Sequence, residues 1–154
     1  MMHNTNEEYF AICLNDGSDQ VIGYFSIKDI DYYNRKCHFA GIVIDPKYQG
    51  NSYMIDTKLI TLEYAFFHLG MNRVTGKCLE EHMVSRVMME MLGYDLEGTE
   101  RESIFKRHKY HNVCNYGLLY SKYIQMKENG EYNIQNIAKR AKEIKNKYKA
   151  YGIK

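Results

Sequence analysis

Ile42-Val-Ile-Asp-Pro-Lys-Tyr-Gln-Gly-Asn-Ser-Tyr-Met54 is the stretch that decides the fold of this 154-residue chain. An apolar strand runs into the only proline of the sequence, then into a short turn of Gly, Asn and Ser, and a helix opens at once. Such a turn points backbone N–H groups outward at a helix N-terminus, where unpaired donors and the dipole favour a phosphate or pyrophosphate. An ordinary strand–turn–helix join would use the same residue types. The sequence on either side decides between the two readings.

Downstream, Ile55, Leu59, Leu62, Phe66 and Leu69 recur at spacings of four and three, which predicts a core-facing helical stripe ended by Gly70. Residues 71–79 read as a strand, completing a β-α-β unit. A second helix over residues 83–91 buries Val84, Val87, Met88 and Met91 and stops at Leu92-Gly93. Two further strands are expected, over residues 94–107 with a bend inside and over residues 113–123. Upstream, Tyr9-Phe-Ala-Ile-Cys-Leu14 and Val21-Ile-Gly-Tyr-Phe-Ser-Ile27 flank the turn residues Asn15-Asp-Gly-Ser-Asp19, so they form a hairpin. Cys37-His-Phe-Ala-Gly-Ile-Val-Ile44 adds a third antiparallel strand. The order β-β-β-α-β-α-β-β predicts an α/β protein with a mixed sheet.

The length suits one domain with one core. No apolar run approaches the roughly 18 residues of a membrane span, and the N-terminus lacks the pattern of a secretory signal. Cys13, Cys37, Cys78 and Cys114 are scattered, with no Cys-x-x-Cys pair. They read as reduced structural thiols of a cytoplasmic protein, and no metal site is expected. The net charge of +2 hides an asymmetry. Residues 124–154 carry eight Lys/Arg against three Glu, leaving the first 123 residues mildly acidic. Ile134, Ile137, Ala138, Ala141, Ile144 and Tyr148 make this tail a basic amphipathic helix. A solvated face is the ordinary reason for such charge; nucleic acid is not an expected partner except through this tail.

The ordered set of motifs resembles the GNAT superfamily of N-acyltransferases. Ile44-Asp-Pro46 followed by Gln49-Gly-Asn-Ser-Tyr-Met54 is similar to the family's strand end and Gln/Arg-x-x-Gly-x-Gly/Ala turn. His82-Met-Val-Ser85 and Met91-Leu-Gly-Tyr94 are similar to its Asn-x-x-Ser/Ala helix ending in Leu-Gly-Phe/Tyr. Leu69-Gly-Met-Asn-Arg-Val74, residues 85–98 and Lys109-Tyr-His-Asn-Val-Cys-Asn-Tyr-Gly-Leu-Leu-Tyr120 resemble the branch with ribosomal-protein and amino-sugar N-acetyltransferases. The resemblance runs from about residue 8 to 123. It implies a GNAT-like domain over residues 1–123, with residues 124–154 as the basic helical tail. The strand and helices that open family members are missing ahead of residue 8, and the edge so left invites a homodimer.

The resemblance also implies a site. Acetyl-CoA is the co-substrate: its pantetheine arm enters a splay between residues 39–45 and 73–80 and pairs with Ile42, Val43 and Ile44. Its pyrophosphate rests on Gln49, Gly50, Asn51, Ser52, Tyr53 and Met54, with His82 and Ser85 ordering the arm. The amine attacks the acetyl group directly, with no covalent enzyme intermediate.

Several residues depart from the family pattern. Ser52 and Met54 stand where Gly and Gly/Ala are preferred, and side chains there crowd a phosphate. Met89 replaces the tyrosine that many members use as general acid. For the proton carried by the amine, Glu80, Glu81 and His82 are the catalytic candidates; for each carboxylate the plain alternative is a surface charge. Tyr116 and Tyr120 share one face of the last expected strand and either line an acceptor pocket or pack. The expected function is therefore acetyl transfer from acetyl-CoA to a primary amine, of a nucleotide-linked amino sugar by preference or of a protein N-terminus. The alternative is a non-catalytic module that binds acyl-CoA or a partner.

Overall fold

The computed structural model describes residues 6–50 and 52–151. The chain forms two compact units that divide between Val74 and Thr75.

In the first unit, β1 (Glu8–Cys13), β2 (Val21–Asp31) and β3 (Lys36–Ile44) lie side by side in that order, antiparallel throughout. The hairpin and meander expected from the turn residues are both present. Ser26 faces Gly41 and Ile27 faces Phe39, so Ala40 is an extra residue that bulges β3. Beyond the bulge, Ile42, Val43 and Ile44 pair with Phe25, Tyr24 and Gly23.

Pro46–Tyr48 form a single 3-10 turn, and α1 runs over Tyr53–Glu63 before widening into a π-helical turn at Tyr64–His68. Of the expected stripe, Leu62 and Phe66 are buried and Ile55, Leu59 and Leu69 half-buried; Thr57 and Thr61, which lie outside it, are buried as well. The two threonines are buried at low cost because each hydroxyl donates to a carbonyl four residues back, Thr57 to Tyr53 at 2.7 Å and Thr61 to Thr57 at 2.6 Å.

The second unit takes up β4 (Arg73–Leu79) from Thr75 onward, then α2 (Met83–Met91), β5 (Asp95–Lys106) and β6 (Lys109–Leu119), with strand order β4-β6-β5. Helix α2 ends in a Schellman motif: Gly93 N–H donates to Glu90 and Tyr94 N–H to Met89. Gly93 sits at φ +94°, and a Cβ there would collide with the Met126 sulfur. The position requires glycine twice over, once for its backbone and once for its neighbour.

Three expectations need correction. Val84 is exposed rather than core, and Arg86 is buried in its place. Strand β6 begins at Lys109 and stops at Leu119. Tyr120–Glu128 form a helix, α3, so Tyr120 shares no strand face with Tyr116. Tyr123 and Met126, three residues apart, bury one face of α3 and decide the matter.

Helix α4 (Ile134–Ala150) covers most of the basic tail and is capped by Asn133, whose side chain accepts from Asn136 N–H at 2.8 Å. It packs on α2. Arg140 donates to the Met91 carbonyl at 2.9 Å, and the Arg86 guanidinium lies 4.6 Å from the Tyr148 ring centre. Among the described residues no helix is long and apolar enough to cross a membrane.

Candidate active site

The phosphate-type turn lies wholly in the first unit. Asp45 opens it by accepting from Lys47 N–H at 3.0 Å, and Gln49 fastens it by donating from its side-chain amide to the Ile44 carbonyl at 2.9 Å. Gln49 thus holds the turn rather than offering its amide outward. Gly50 has φ +84° with nothing within 4 Å of a would-be Cβ, so glycine is needed for the conformation and not for room. Asn51 lies outside the described residues.

The helical bond from Asp56 N–H to Ser52 leaves the amides of Tyr53 and Met54 in the open first turn of α1. Met54 does not crowd that opening. Its side chain, with those of Tyr48 and Tyr53, packs against the buried cluster of Ile12, Ile22 and Ile44. Ser52 gives its hydroxyl to the Asp56 carboxylate at 2.8 Å, so that negative group sits in the first turn of the anion-favouring end. Of the three strand residues expected to meet the acyl arm, Ile44 is buried, Ile42 half-buried and Val43 exposed.

Lys58 of α1 extends over the Phe39 ring, its ammonium 5.1 Å from the centre. Burial brings its pKa down to about 8.

The second unit gathers the other candidates where β4 passes into α2. Glu80 is fixed at three points. Its N–H donates to the Asn112 carbonyl, its carboxylate accepts from the Asn112 side chain at 2.7 Å, and its carbonyl accepts from Arg86 at 3.2 Å. Glu81 is exposed and bonds the His111 ring through Nδ1, while His111 Nε2 lies 3.0 Å from the Lys106 carbonyl. Its own backbone amide and then His111 hold the Glu81 carboxyl below the ordinary glutamate range. That makes Glu81 a durable negative charge and a poorer base. His82 caps α2 in position but not through its side chain, which bonds the Ser85 hydroxyl. Its Nε2 is left facing away from that bond.

The structure therefore brings Glu80, Glu81, His82 and Ser85 together at one end of the second unit. It adds His111 and Asn112, neither of which has a role by sequence alone, although both lie in the Lys109-Tyr-His-Asn112 run. Met89 lies against Gly76 of β4, its terminal methyl 3.0 Å from where a Cβ would be. Behind α2, Tyr116 and Tyr148 both donate to Glu90, and burial raises the pKa of each phenol. Among the described residues no group of three His, Cys, Asp or Glu is arranged to hold a metal.

Comparison with known proteins supplies the family. Residues 1–95 match the acetyltransferase (GNAT) domain. The chain is 28% identical to the uncharacterized N-acetyltransferase YnaD of Bacillus subtilis, over 74% of this chain and 65% of that protein. It is 26% identical to spermidine N(1)-acetyltransferase of Vibrio cholerae, over 82% of this chain and 72% of the relative. YdaF of B. subtilis, provisionally named a ribosomal N-acetyltransferase, is 32% identical over 69% of this chain and 56% of its own length. The chain thus spans a little over half to about seven-tenths of these relatives. The crystal structure of the V. cholerae spermidine/spermine N-acetyltransferase SpeG in complex with manganese ions superposes with a TM-score of 0.74 at 26% identity, over 80% of this chain and 71% of that one. A dodecameric structure of the V. cholerae spermidine N-acetyltransferase superposes at 0.72, over 79% and 70%. The open amide turn after β3, the helix capped at His82 and the Schellman stop at Gly93 are the local features of that fold, and the chain belongs to the GNAT acetyltransferase family.

Proposed function

We propose that this chain is an acetyl-CoA-dependent N-acetyltransferase acting on a primary amine. The observation that supports the reading most is the turn at residues 49–54. It presents open amides of α1 beside a left-handed Gly50, with Met54 turned into the core, and so has the donors a pyrophosphate needs.

The chemistry follows from the acceptor. An aliphatic ammonium must lose a proton before its nitrogen attacks the thioester carbon. Attack forms the C–N bond, collapse of the tetrahedral intermediate breaks the C–S bond, and the departing thiolate takes a proton. Glu81, kept ionised, suits holding the ammonium. Glu80, rigidly placed with one carboxylate oxygen bonded to Asn112, suits receiving the proton. His82 has an outward Nε2 and serves the same region.

The amine is that of a nucleotide-linked amino sugar in our first reading. A polyamine, the substrate named for the V. cholerae relative, and a protein N-terminus are the competitors. Homo-oligomerisation belongs to the same proposal, and sedimentation of the purified chain tests it. The assay is release of free thiol from acetyl-CoA with spermidine, UDP-glucosamine and a peptide N-terminus as acceptors. Thiol release matched by acetylated product supports the proposal; its absence with every amine sinks it. Met89, an aliphatic thioether packed on Gly76, favours a second reading, a module that binds acyl-CoA without turnover. That reading expects calorimetric binding of acetyl-CoA and no product.

A further inference from the structure

The turn joining β5 to β6 is made of just two residues, Arg107 and His108, between the paired Lys106 and Lys109. Both have positive φ, +52° and +59°. Two-residue hairpin turns with both central residues in that region favour Asn-Gly, because a Cβ in the left-handed region costs about 1–2 kcal/mol per residue. This chain carries two large side chains there instead, a guanidinium and an imidazole. Residues 106–109 read Lys-Arg-His-Lys and are all exposed. Among the described residues none of these four side chains forms an ion pair with a carboxylate. The turn is strained at Arg107 and His108 and carries the lysine charges of Lys106 and Lys109 on either side, an arrangement of the kind that persists where the strained residues serve a site.

The strands tie this turn to the carboxylates of the second unit. His111 reaches back to the Lys106 carbonyl with one ring nitrogen and to Glu81 with the other, and the Lys109 charge helps hold the Glu81 carboxyl ionised. An amine placed at Glu80 and Glu81 therefore has a cationic hairpin tip beside it.

We infer that residues 106–109 hold an anionic part of the acceptor, so that the substrate is a phosphate-bearing amine such as a nucleotide-linked amino sugar and not a polyamine. The inference rests on the N-acetyltransferase reading above and deepens it. A polycation meets Glu81 but is repelled by the tip. A molecule with an ammonium at one end and a diphosphate further along satisfies both.

The test compares UDP-glucosamine with glucosamine, in the wild type and in a variant carrying Arg107→Asn and His108→Gly. Those replacements suit the turn, so the variant melts no lower than the wild type. In the wild type, KM for UDP-glucosamine lies about tenfold or more below that for glucosamine, and the gap narrows with added salt. In the variant, KM for UDP-glucosamine rises about tenfold while KM for glucosamine moves less than threefold. Equal KM values for the two acceptors in the wild type overturn the inference, as do equal losses in the variant or a preference for spermidine. Weaker CoA binding in the variant, with acceptor KM values unchanged, also overturns it, since the tip would then serve the other substrate. If no amine is acetylated, the enzymatic reading fails by itself. Calorimetry of UDP-glucosamine with the two proteins then decides for the turn: binding lost in the variant supports it, and no binding to the wild type ends it.

Discussion

The His111 ring stands between two oxygen acceptors, with Nδ1 on the Glu81 carboxylate and Nε2 3.0 Å from the Lys106 carbonyl. The Glu81–His111 pair is a unit that joins the end of β4 to the start of β6 across thirty residues of sequence.

Glu81 and Glu80 separate in kinetics if they divide binding from proton transfer. Glu81→Gln raises the acceptor KM about tenfold with a small change in kcat, whereas Glu80→Gln lowers kcat by about 100-fold. His111→Gln follows Glu81→Gln in KM, and the double variant is no worse than either single one because both break the same unit. Since the Glu81 pKa is lowered, KM stays flat as pH falls through the ordinary glutamate range and rises only below it. Steady-state kinetics over pH checks all of these.

The first turn of α1 offers a pair of opposing tests. Gly50→Ala destabilises the protein by about 1 kcal/mol through its positive φ and weakens CoA binding. Asp56→Asn removes the negative charge from the anion-binding end and tightens CoA about two- to fivefold. Its melting temperature falls slightly, because that charge also favours the helix N-terminus. Calorimetry and thermal melts read the two effects separately.

Lys58 makes stability depend on pH in the alkaline range. Its folded pKa of about 8 lies below its unfolded value, so the unfolded chain binds more protons between about pH 8 and 10.4. Stability from this group therefore rises with pH across that window, by at most about 1.4 kcal/mol per unit. Lys58→Met removes the term. The variant is more stable than the wild type at pH 7, and the difference shrinks toward about pH 10.4 in urea melts.

Tyr148 locks α4 to α2 through Glu90 and the Arg86 guanidinium. Tyr148→Phe keeps the ring under Arg86 and loses one hydrogen bond to a carboxylate, costing about 1–2 kcal/mol. Tyr148→Ala loses the packing as well and costs about 3–5 kcal/mol. Denaturant unfolding measures both.

The fold up to β6 is legible in the sequence because alternation, turn residues and helix stops agree with one another there. Tyr120–Glu128 is not. Leu118-Leu-Tyr120 continues the apolar run of β6 with no helix-start residue to interrupt it, and the helix is selected by tertiary contact, with Met126 against Gly93 and Tyr123 against Tyr132. Buried Thr57 and Thr61 escape a hydrophobic pattern because their polarity is satisfied inside their own helix. At the candidate site, Met54 reads from sequence as an obstruction, and only the structure turns its side chain inward. The partnership of His111 with Glu81 depends on strand register, which no spacing along the chain reveals.

The most direct measurement is acetyl transfer itself: the purified chain with acetyl-CoA and each amine in turn, following free thiol and the mass of the acceptor together. One acetylated amine per thiol released is expected, with UDP-glucosamine turned over more efficiently than glucosamine or spermidine. Acetyl-CoA that neither binds by calorimetry nor gives up its thiol with any amine would contradict the acetyltransferase reading.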